Sequence, residues 1–298
     1  MTGLEQVREG SAPAALAGRF RDIRRVLRVP WVPLLFRALA PMPDALQAAW
    51  RALAPNLSTR AFEEAADDLR VVLTRSAVEL GTPLLEPSLL SRGYDTDEID
   101  EMRDALQLFH YVDPKLMLVT GALVQLDDGH ALGGATRPDW ALAPVPPALD
   151  LPSPELAPEH PGGRVGEILD ALVRAIHLPD VTADLRVLGH WPGLLEEAWD
   201  GLASLFGHPA IEPALARLRA ESHAAWRQMP HLAEPFADDA MTPQHRARFS
   251  RLVRQFDDAM PRLSLLAAAL RVSLEGPENA IASPFPIDWA PVDLEAPP

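Results

Sequence analysis

Residues 30–53 of the chain recur, without a gap, as residues 179–202. At this constant shift of 149 residues, nine of the 24 positions are identical, Trp50 and Trp199 among them. Two later stretches, "LFHYVDPKLMLVTGAL" and "QFDDAMPRLSLLAAAL", match each other at a shift of 147 residues. Self-similarity at a nearly fixed shift is the signature of an internal duplication. Whatever fold one half adopts, the other half is therefore expected to repeat it.

Apolar residues recur at helical spacing through most of the chain, and the alternating pattern of strands is nearly absent. One such helical face consists of Phe62, Ala65, Ala66, Leu69, Val72 and Leu73. The 31 prolines cluster where helices are expected to start or stop. The sequence thus predicts an all-α fold of two tandem helical repeats, related by an approximate two-fold axis, with a pocket at their interface.

The duplication also suggests the domain boundaries. Residues 1–131 form the first repeat, and residues 164–298 form the second repeat with a Pro-rich tail, "SPFPIDWAPVDLEAPP". Between them, residues 132–163 form a linker that is too rich in proline for a helix. We expect this linker to run extended along the surface.

Composition excludes several kinds of function. The 42 acidic and 27 basic residues give a net charge of −15, which argues against nucleic acid or an anionic membrane as a partner. The absence of cysteine excludes disulfides, thiolate metal sites and cysteine nucleophiles. The chain shows no signal peptide and no apolar stretch of about 18 residues, so a soluble cytoplasmic protein is expected.

One residue breaks the pattern of the repeat. At the shift of 149 residues, Leu35 is matched by Asp184. A position that is apolar in one copy is expected to face the core in both, and a buried carboxylate costs several kcal/mol unless it is paired or protonated. Asp184 is therefore either a structural group, as a helix cap or a partner of Arg186, or a general base whose pKa is raised by burial.

Four stretches in order suggest a family: "FRDIRRVLRVPWVPLLFRALA", "NLSTRAFEEAADDLR", "LFHYVDPKLMLVTGAL" and "LPDVTADLRVLGHWPGLLEEAW". Together they resemble the group I 2-haloacid dehalogenases of the DL-2-haloacid type, over about residues 20 to 288. The resemblance implies an all-helical pseudo-dimer, a homodimeric assembly, and hydrolysis of short 2-haloalkanoic acids to 2-hydroxy acids. It also implies direct attack by an Asp-activated water, with inversion, without an ester intermediate, and with no cofactor or metal.

Carried over residue by residue, the resemblance makes Asp184 the base. His110 occupies the position where we expect an asparagine that holds the water. Substrate-binding roles follow for Trp31, Leu34, Thr59, Glu63, Thr182 and Ala183 by position, and for Met260 and Ser264 on the facing helix.

Two of these residues also have structural interpretations. Thr59 precedes a helical run and is suited to cap it. Glu63 recurs as Glu212 while Arg37 recurs as Arg186. A structural ion pair between Glu63 and Arg37, repeated in each half, is therefore the better interpretation of this glutamate.

A second function stays open on the sequence alone. His110 stands where the resemblance leads us to expect an asparagine, and Ala183 where it leads us to expect a serine. Both differences are also compatible with a small-acid-binding protein, or a diverged relative, that keeps the fold without this turnover. Halide release by the intact protein and by an Asp184→Asn variant would separate the two functions.

Overall fold

A computed structural model describes residues 4–136 and 154–281. Within these ranges the chain is helical, with one isolated β-bridge between Leu132 and Ala233 and no strand. The middle of the predicted linker and the C-terminal tail lie outside the described residues. The helices are α1 (Ala14–Leu27), α2 (Leu34–Leu39), α3 (Pro43–Leu57), α4 (Arg60–Glu79), α5 (Glu86–Ser91), α6 (Thr96–Asp127), α7 (Gly163–Ile176), α8 (Ala183–Leu188), α9 (Pro192–Phe206), α10 (Ile211–Ala225), α11 (Pro243–Glu275) and α12 (Pro277–Ile281).

The helix boundaries repeat along the chain as the sequence does. Helices α7, α8 and α9 begin and end 149 residues after α1, α2 and α3. Helix α11 begins 147 residues after α6, in agreement with the second shift. The all-α fold predicted from the apolar pattern is confirmed. The two halves differ at α5, which has no counterpart between α10 and α11.

Local signals explain why the helices begin and end where they do. Proline occupies the first position of both α3 and α9, where its missing N–H has no helical partner to lose. Asp95 and Glu98 form a reciprocal capping box at the start of α6. At the ends of α1 and α7, Arg28 and His177 adopt left-handed conformations, with φ of 60° and 66°. The same termination is therefore built at equivalent places in the two halves.

The two long helices α6 and α11 pack against each other at the centre of the molecule. Each contains an internal proline at an equivalent position, Pro114 in α6 and Pro261 in α11. A proline inside a helix leaves the carbonyl four residues earlier without its backbone partner. In the second half that carbonyl belongs to Asp257, and the Arg219 Nε donates to it at 3.2 Å. The interruption is thus satisfied by a side chain from α10.

No helix among the described residues combines the length and apolarity needed to cross a bilayer.

An ion pair occurs at equivalent positions of the two repeats. In the first half the Lys115 Nζ lies 2.6 Å from the Glu63 Oε1, and in the second half the Arg262 Nη2 lies 2.8 Å from the Glu212 Oε1. The predicted pairing of Glu63 with Arg37 is wrong. The guanidinium of Arg37 instead faces Glu159. The structural role inferred for Glu63 stands, but its partner is on α6.

These two ion pairs differ in burial, and this difference predicts different contributions to stability. The side chains of Lys115 and Glu63 are 1% and 6% exposed, whereas that of Glu212 is 70% exposed. Glu63→Gln leaves a buried ammonium without its counter-charge, so it is expected to lower the free energy of unfolding by about 3 kcal/mol. Glu212→Gln is the matched control and is expected to cost less than about 1 kcal/mol. Urea unfolding of both variants at pH 7 measures the difference, and equal losses would contradict it.

Candidate active site

A small closed cavity lies between the two halves. Its free volume is ≈ 20 Å³, slightly more than the ~10–15 Å³ that one water requires. The segments leading into α2 and α8 form one side, and the middle parts of α6 and α11 form the other. Its lining residues are Trp31, Pro33, Leu34, Leu35, Val112, Leu116, Thr120, Thr182, Ala183, Asp184, Phe256, Met260 and Leu263.

Repeat-related residues meet in this cavity. Leu35 and Asp184, which are equivalent at the shift of 149 residues, both line it. Leu116 and Leu263, equivalent at the shift of 147, line it as well. The cavity therefore lies where the two halves face each other with the same elements, as the predicted interface pocket requires.

Asp184 stands in the first turn of α8 with its carboxyl at the cavity. Its side chain is half-buried and borders the cavity. Burial raises its pKa above the ordinary range, although hydrogen bonding to its own backbone N–H, Thr182 and Asp113 acts in the opposite direction. Desolvation thus makes this carboxylate a stronger base than an aspartate in water.

Arg186, the proposed structural partner of Asp184, points elsewhere. Its Nε donates to the Ala157 carbonyl at 2.7 Å, and its Nη1 lies 3.8 Å from the Glu159 carboxylate. In the described part of the chain, no arginine, lysine or histidine forms an ion pair with Asp184. The interpretation of Asp184 as half of a salt bridge with Arg186 is therefore wrong.

A second carboxyl lies next to Asp184. Asp113, on α6, is 1% exposed, and burial together with the charge of Asp184 raises its pKa well above the usual range. Neither of its oxygens receives a hydrogen bond from an N–H or hydroxyl group of the described residues. Two carboxylates can only accept hydrogen bonds, so a single proton shared between Asp113 and Asp184 is what satisfies both groups. The pair then carries one negative charge.

Burial favours the proton on Asp113. Its pKa is the more strongly raised of the two, and Asp184 is the charged group among the described residues that acts on it. Asp184 has backbone and hydroxyl groups that favour its charged form. The arrangement is therefore a carboxylate at the cavity wall with a neutral carboxylic acid behind it, a division of roles set by environment.

Six of the residues inferred from the sequence come together at this cavity, namely Trp31, Leu34, Thr182, Ala183, Asp184 and Met260. The other four do not line it. Thr59 is the N-cap of α4, where its hydroxyl accepts from the Phe62 N–H at 3.3 Å. Glu63 binds Lys115, and Ser264 is buried on α11.

His110 is buried on α6, one turn before Asp113. Burial lowers its pKa well below the ordinary value, and the charges of Arg271 and Arg70 add to this effect. The imidazole is therefore neutral, and it is Asp113 rather than His110 that lies against Asp184.

The sequence contains a signal for Asp113 that the prediction did not use. At the shift of 147 residues Asp113 is matched by Met260, so the comparison of repeats that singles out Asp184 against Leu35 singles out Asp113 as well. Both acids stand where the other half carries an apolar residue, and Met260 and Leu35 line the same cavity.

Among the described residues, no group of three or more His, Asp or Glu side chains is arranged to hold a metal ion.

The sequence of this chain is similar to those of known dehalogenases. Residues 30–153 match the family model DehI, described as halocarboxylic acid dehydrogenase DehI. An (R)-2-haloacid dehalogenase of Pseudomonas putida is 29% identical over 245 residues, which cover 80% of each chain. A configuration-inverting 2-haloacid dehalogenase of Alcaligenes xylosoxydans xylosoxydans is 29% identical over 90% of this chain and 93% of its own length.

Solved structures agree with the sequence matches. The complex of a D-2-haloacid dehalogenase with L-LA superimposes with a TM-score of 0.84 at 25% identity, covering 91% of this chain and 96% of the other. A mutant of a D-2-haloacid dehalogenase in complex with D-2-CPA gives the same values. By sequence and by fold, the chain is therefore similar to the 2-haloacid dehalogenases, and residues 30–153 match the DehI family model.

Proposed function

We propose that this chain is a hydrolase that converts short 2-haloalkanoic acids to 2-hydroxy acids through a water activated by Asp184. The observation that carries the proposal is a carboxylate with a raised pKa on the wall of a closed, largely apolar cavity of about the size of one water. The homologues are themselves named 2-haloacid dehalogenases. The geometry of the cavity and the sequence similarity to these dehalogenases therefore support the same reaction.

The reaction balances with the groups of this cavity. A water beside Asp184 attacks the halogen-bearing carbon from the face opposite the halogen, and its oxygen forms the new C–O bond. The C–X bond breaks, and the halide leaves with the bonding electrons towards Trp31, whose ring edge suits a soft anion. One water proton passes to Asp184 and later to solvent. Attack from the opposite face inverts the configuration.

Asp113 lies against Asp184 and not in the lining of the cavity, so it acts on the water through Asp184. As a neutral acid it donates to the Asp184 carboxylate, and it keeps the pair at a single negative charge. We therefore assign to Asp113 the positioning role that the sequence resemblance assigned to His110. This replacement also removes one of the two arguments for a non-catalytic binding protein, because the change at His110 no longer concerns the water.

The apolar walls contribute by excluding solvent. Leu34, Val112 and Met260 line the cavity together with Asp184 and give it apolar walls. A carboxylate is a weak base in bulk water, so most of the rate is expected to come from positioning and from the dry surroundings.

We also propose membership of the DL-2-haloacid type, which predicts turnover of both enantiomers. Thr182 and Ala183, beside the base, are both small residues. The homodimer, the cytoplasmic location and the lack of a cofactor stay predictions, and sedimentation of the purified protein would measure the first.

Halide release from (R)- and (S)-2-chloropropionate tests the proposed function. Both acids are expected to release chloride and to yield lactate of the opposite configuration. In ¹⁸O-labelled water, a single turnover is expected to label the new hydroxyl of lactate and to leave the Asp184 carboxylate unlabelled. Unlabelled lactate together with label in the Asp184 carboxylate would indicate an ester on Asp184 instead. No chloride from any of several 2-halo acids would contradict the proposal.

A further inference from the structure

A second and larger cavity, of ≈ 550 Å³, adjoins the first. Trp31 and Ala183 line both of them. The larger cavity is more open to solvent, and Asp184 lines the smaller one. The two cavities therefore meet at Trp31 and Ala183, next to the proposed base.

Two repeat-related arginines converge on this outer cavity. Arg37 on α2 and Arg186 on α8 are equivalent at the shift of 149 residues, and their side chains are only 11% and 18% exposed. Burial lowers the pKa of Arg37, the carboxylate of Glu159 acts against that effect, and the charge of Arg186 adds to it. Two guanidiniums held this close require an anion between them.

That anion is the carboxylate of Glu159, but it only partly engages the pair. Its Oε1 lies 3.9 Å from the Arg37 Nη1 and 3.8 Å from the Arg186 Nη1, which is too long for a hydrogen bond. The close partner of Glu159 is Arg8. The Arg37 Nε is buried and has no hydrogen-bond partner among the described residues. The arginine pair thus has charge and donors that Glu159 leaves unused.

Glu159 is held in place from the second half. The backbone N–H of Ala157 donates to the Arg186 carbonyl at 3.2 Å, and the Arg186 Nε donates back to the Ala157 carbonyl. These bonds fix the segment that carries Glu159 over the outer cavity. A carboxylate that belongs to the protein is therefore kept within reach of the two arginines.

We propose that Arg37 and Arg186 form an entry site for the carboxylate of the incoming acid, and that Glu159 occupies this site as a built-in competitor when no substrate is present. The inference rests on the proposed function for the identity of the acid. A protein with a net charge of −15 repels anions at long range. A local pair of guanidiniums at the mouth offsets that repulsion, and planar guanidiniums suit a carboxylate.

Propionate tests the entry site, because it has the carboxylate and no halogen to lose. Its dissociation constant is measured by calorimetry at low salt for the intact protein and for four variants. Glu159→Gln is expected to tighten propionate binding about fivefold by removing the competitor, and Arg37→Gln and Arg186→Gln to weaken it about tenfold. Glu196→Gln, which removes a carboxylate from Arg92 away from this cavity, is expected to leave it unchanged.

Turnover of 2-chloropropionate supplies a second readout. The effect of Glu159→Gln is expected on KM rather than on kcat, and the salt dependence of kcat/KM is expected to flatten in the two arginine variants. Melting temperatures show which variants remain folded. If folded Glu159→Gln and Arg186→Gln both bind propionate with a dissociation constant within twofold of that of the intact protein, the proposal is overturned. The two arginines and Glu159 would then serve only to hold the segment around Ala157 in place. Propionate shifts of the expected size without chloride release would leave the entry site standing and refute the dehalogenase function.

Discussion

Replacing Asp184 by Asn is expected to lower halide release from 2-chloropropionate by about 100- to 10,000-fold. The amide has nearly the shape of the carboxyl, but it cannot take a proton from water at neutral pH. Chloride release by the purified variant at saturating substrate measures the loss. Asp170→Asn, on the exposed face of α7 in the same repeat, is the matched control and is expected to keep full activity.

The same variant is expected to be at least as stable as the intact protein at pH 7. Folding raises the pKa of Asp184, so its stabilising contribution is present below the unfolded pKa and is lost as pH rises through the folded pKa. Asparagine has no charge to desolvate. The gain in free energy of unfolding is therefore expected to shrink as the pH is lowered towards the titration of the acid pair. An inactive and strongly destabilised variant would mean that Asp184 is structural, and equal activity would mean that it is not the base.

Asp113 is expected to determine the alkaline side of the pH profile. The proposed active form of the pair holds one proton. On the acid side, activity falls when Asp184 is protonated, at a pH above the ordinary range because its pKa is raised. On the alkaline side, activity falls when the pair loses its last proton, whose pKa is raised well above the usual value at Asp113. The apparent pKa values of the acidic and alkaline limbs belong to the pair of carboxyl groups and not to either residue alone.

Two substitutions at Asp113 separate its roles. Asp113→Asn supplies a permanent donor, so most activity is expected to remain and the alkaline limb of kcat/KM to disappear. Asp113→Leu removes the donor and is expected to lower kcat about 100-fold. The pH dependence of kcat/KM between about pH 4 and 10 measures both effects. His110→Gln is the comparison that decides between the two candidate residues. Loss of activity there, with both Asp113 variants unaffected, would return the water-holding role to His110.

The sequence was informative about helices because their boundaries depend on local chemistry. The prolines that open α3 and α9 act through neighbouring backbone groups. Because the chain is duplicated, the same local signals occur twice. Helices α1 and α7 accordingly begin and end at equivalent residues, 149 residues apart. Asp184 was recognised for the same reason, since its equivalent Leu35 showed what the position normally holds.

The assignment of the water-holding residue was harder because α6 is buried on all sides in its middle. Every residue from 108 to 124 is buried, so the apolar period that normally indicates the inward face is missing. Sequence spacing could not tell which side of this helix faces α8. His110 and Asp113 are one turn apart, and only the packed structure shows that Asp113 meets Asp184.

The partner of Glu63 was missed for a different reason. Glu63 and Arg37 both recur in the second half, but two residues that recur together need not touch. The true partner, Lys115, corresponds to Arg262 in the second half. A comparison of the halves that counts only identical residues does not detect a lysine replaced by an arginine. Charge, rather than residue identity, was retained at that position.

The meeting of repeat-related residues in one cavity has a consequence for how such a site can arise. Two identical subunits that share a central hollow must present every wall residue twice, so an acid on one side implies a twin on the other. Joining the halves into a single polypeptide lifts that constraint. Here the first half supplies Asp113 and the second half Asp184, while their counterparts Met260 and Leu35 stay apolar. A fused chain can therefore form one asymmetric site with two acids, whereas a symmetric dimer with the same two acids would have four.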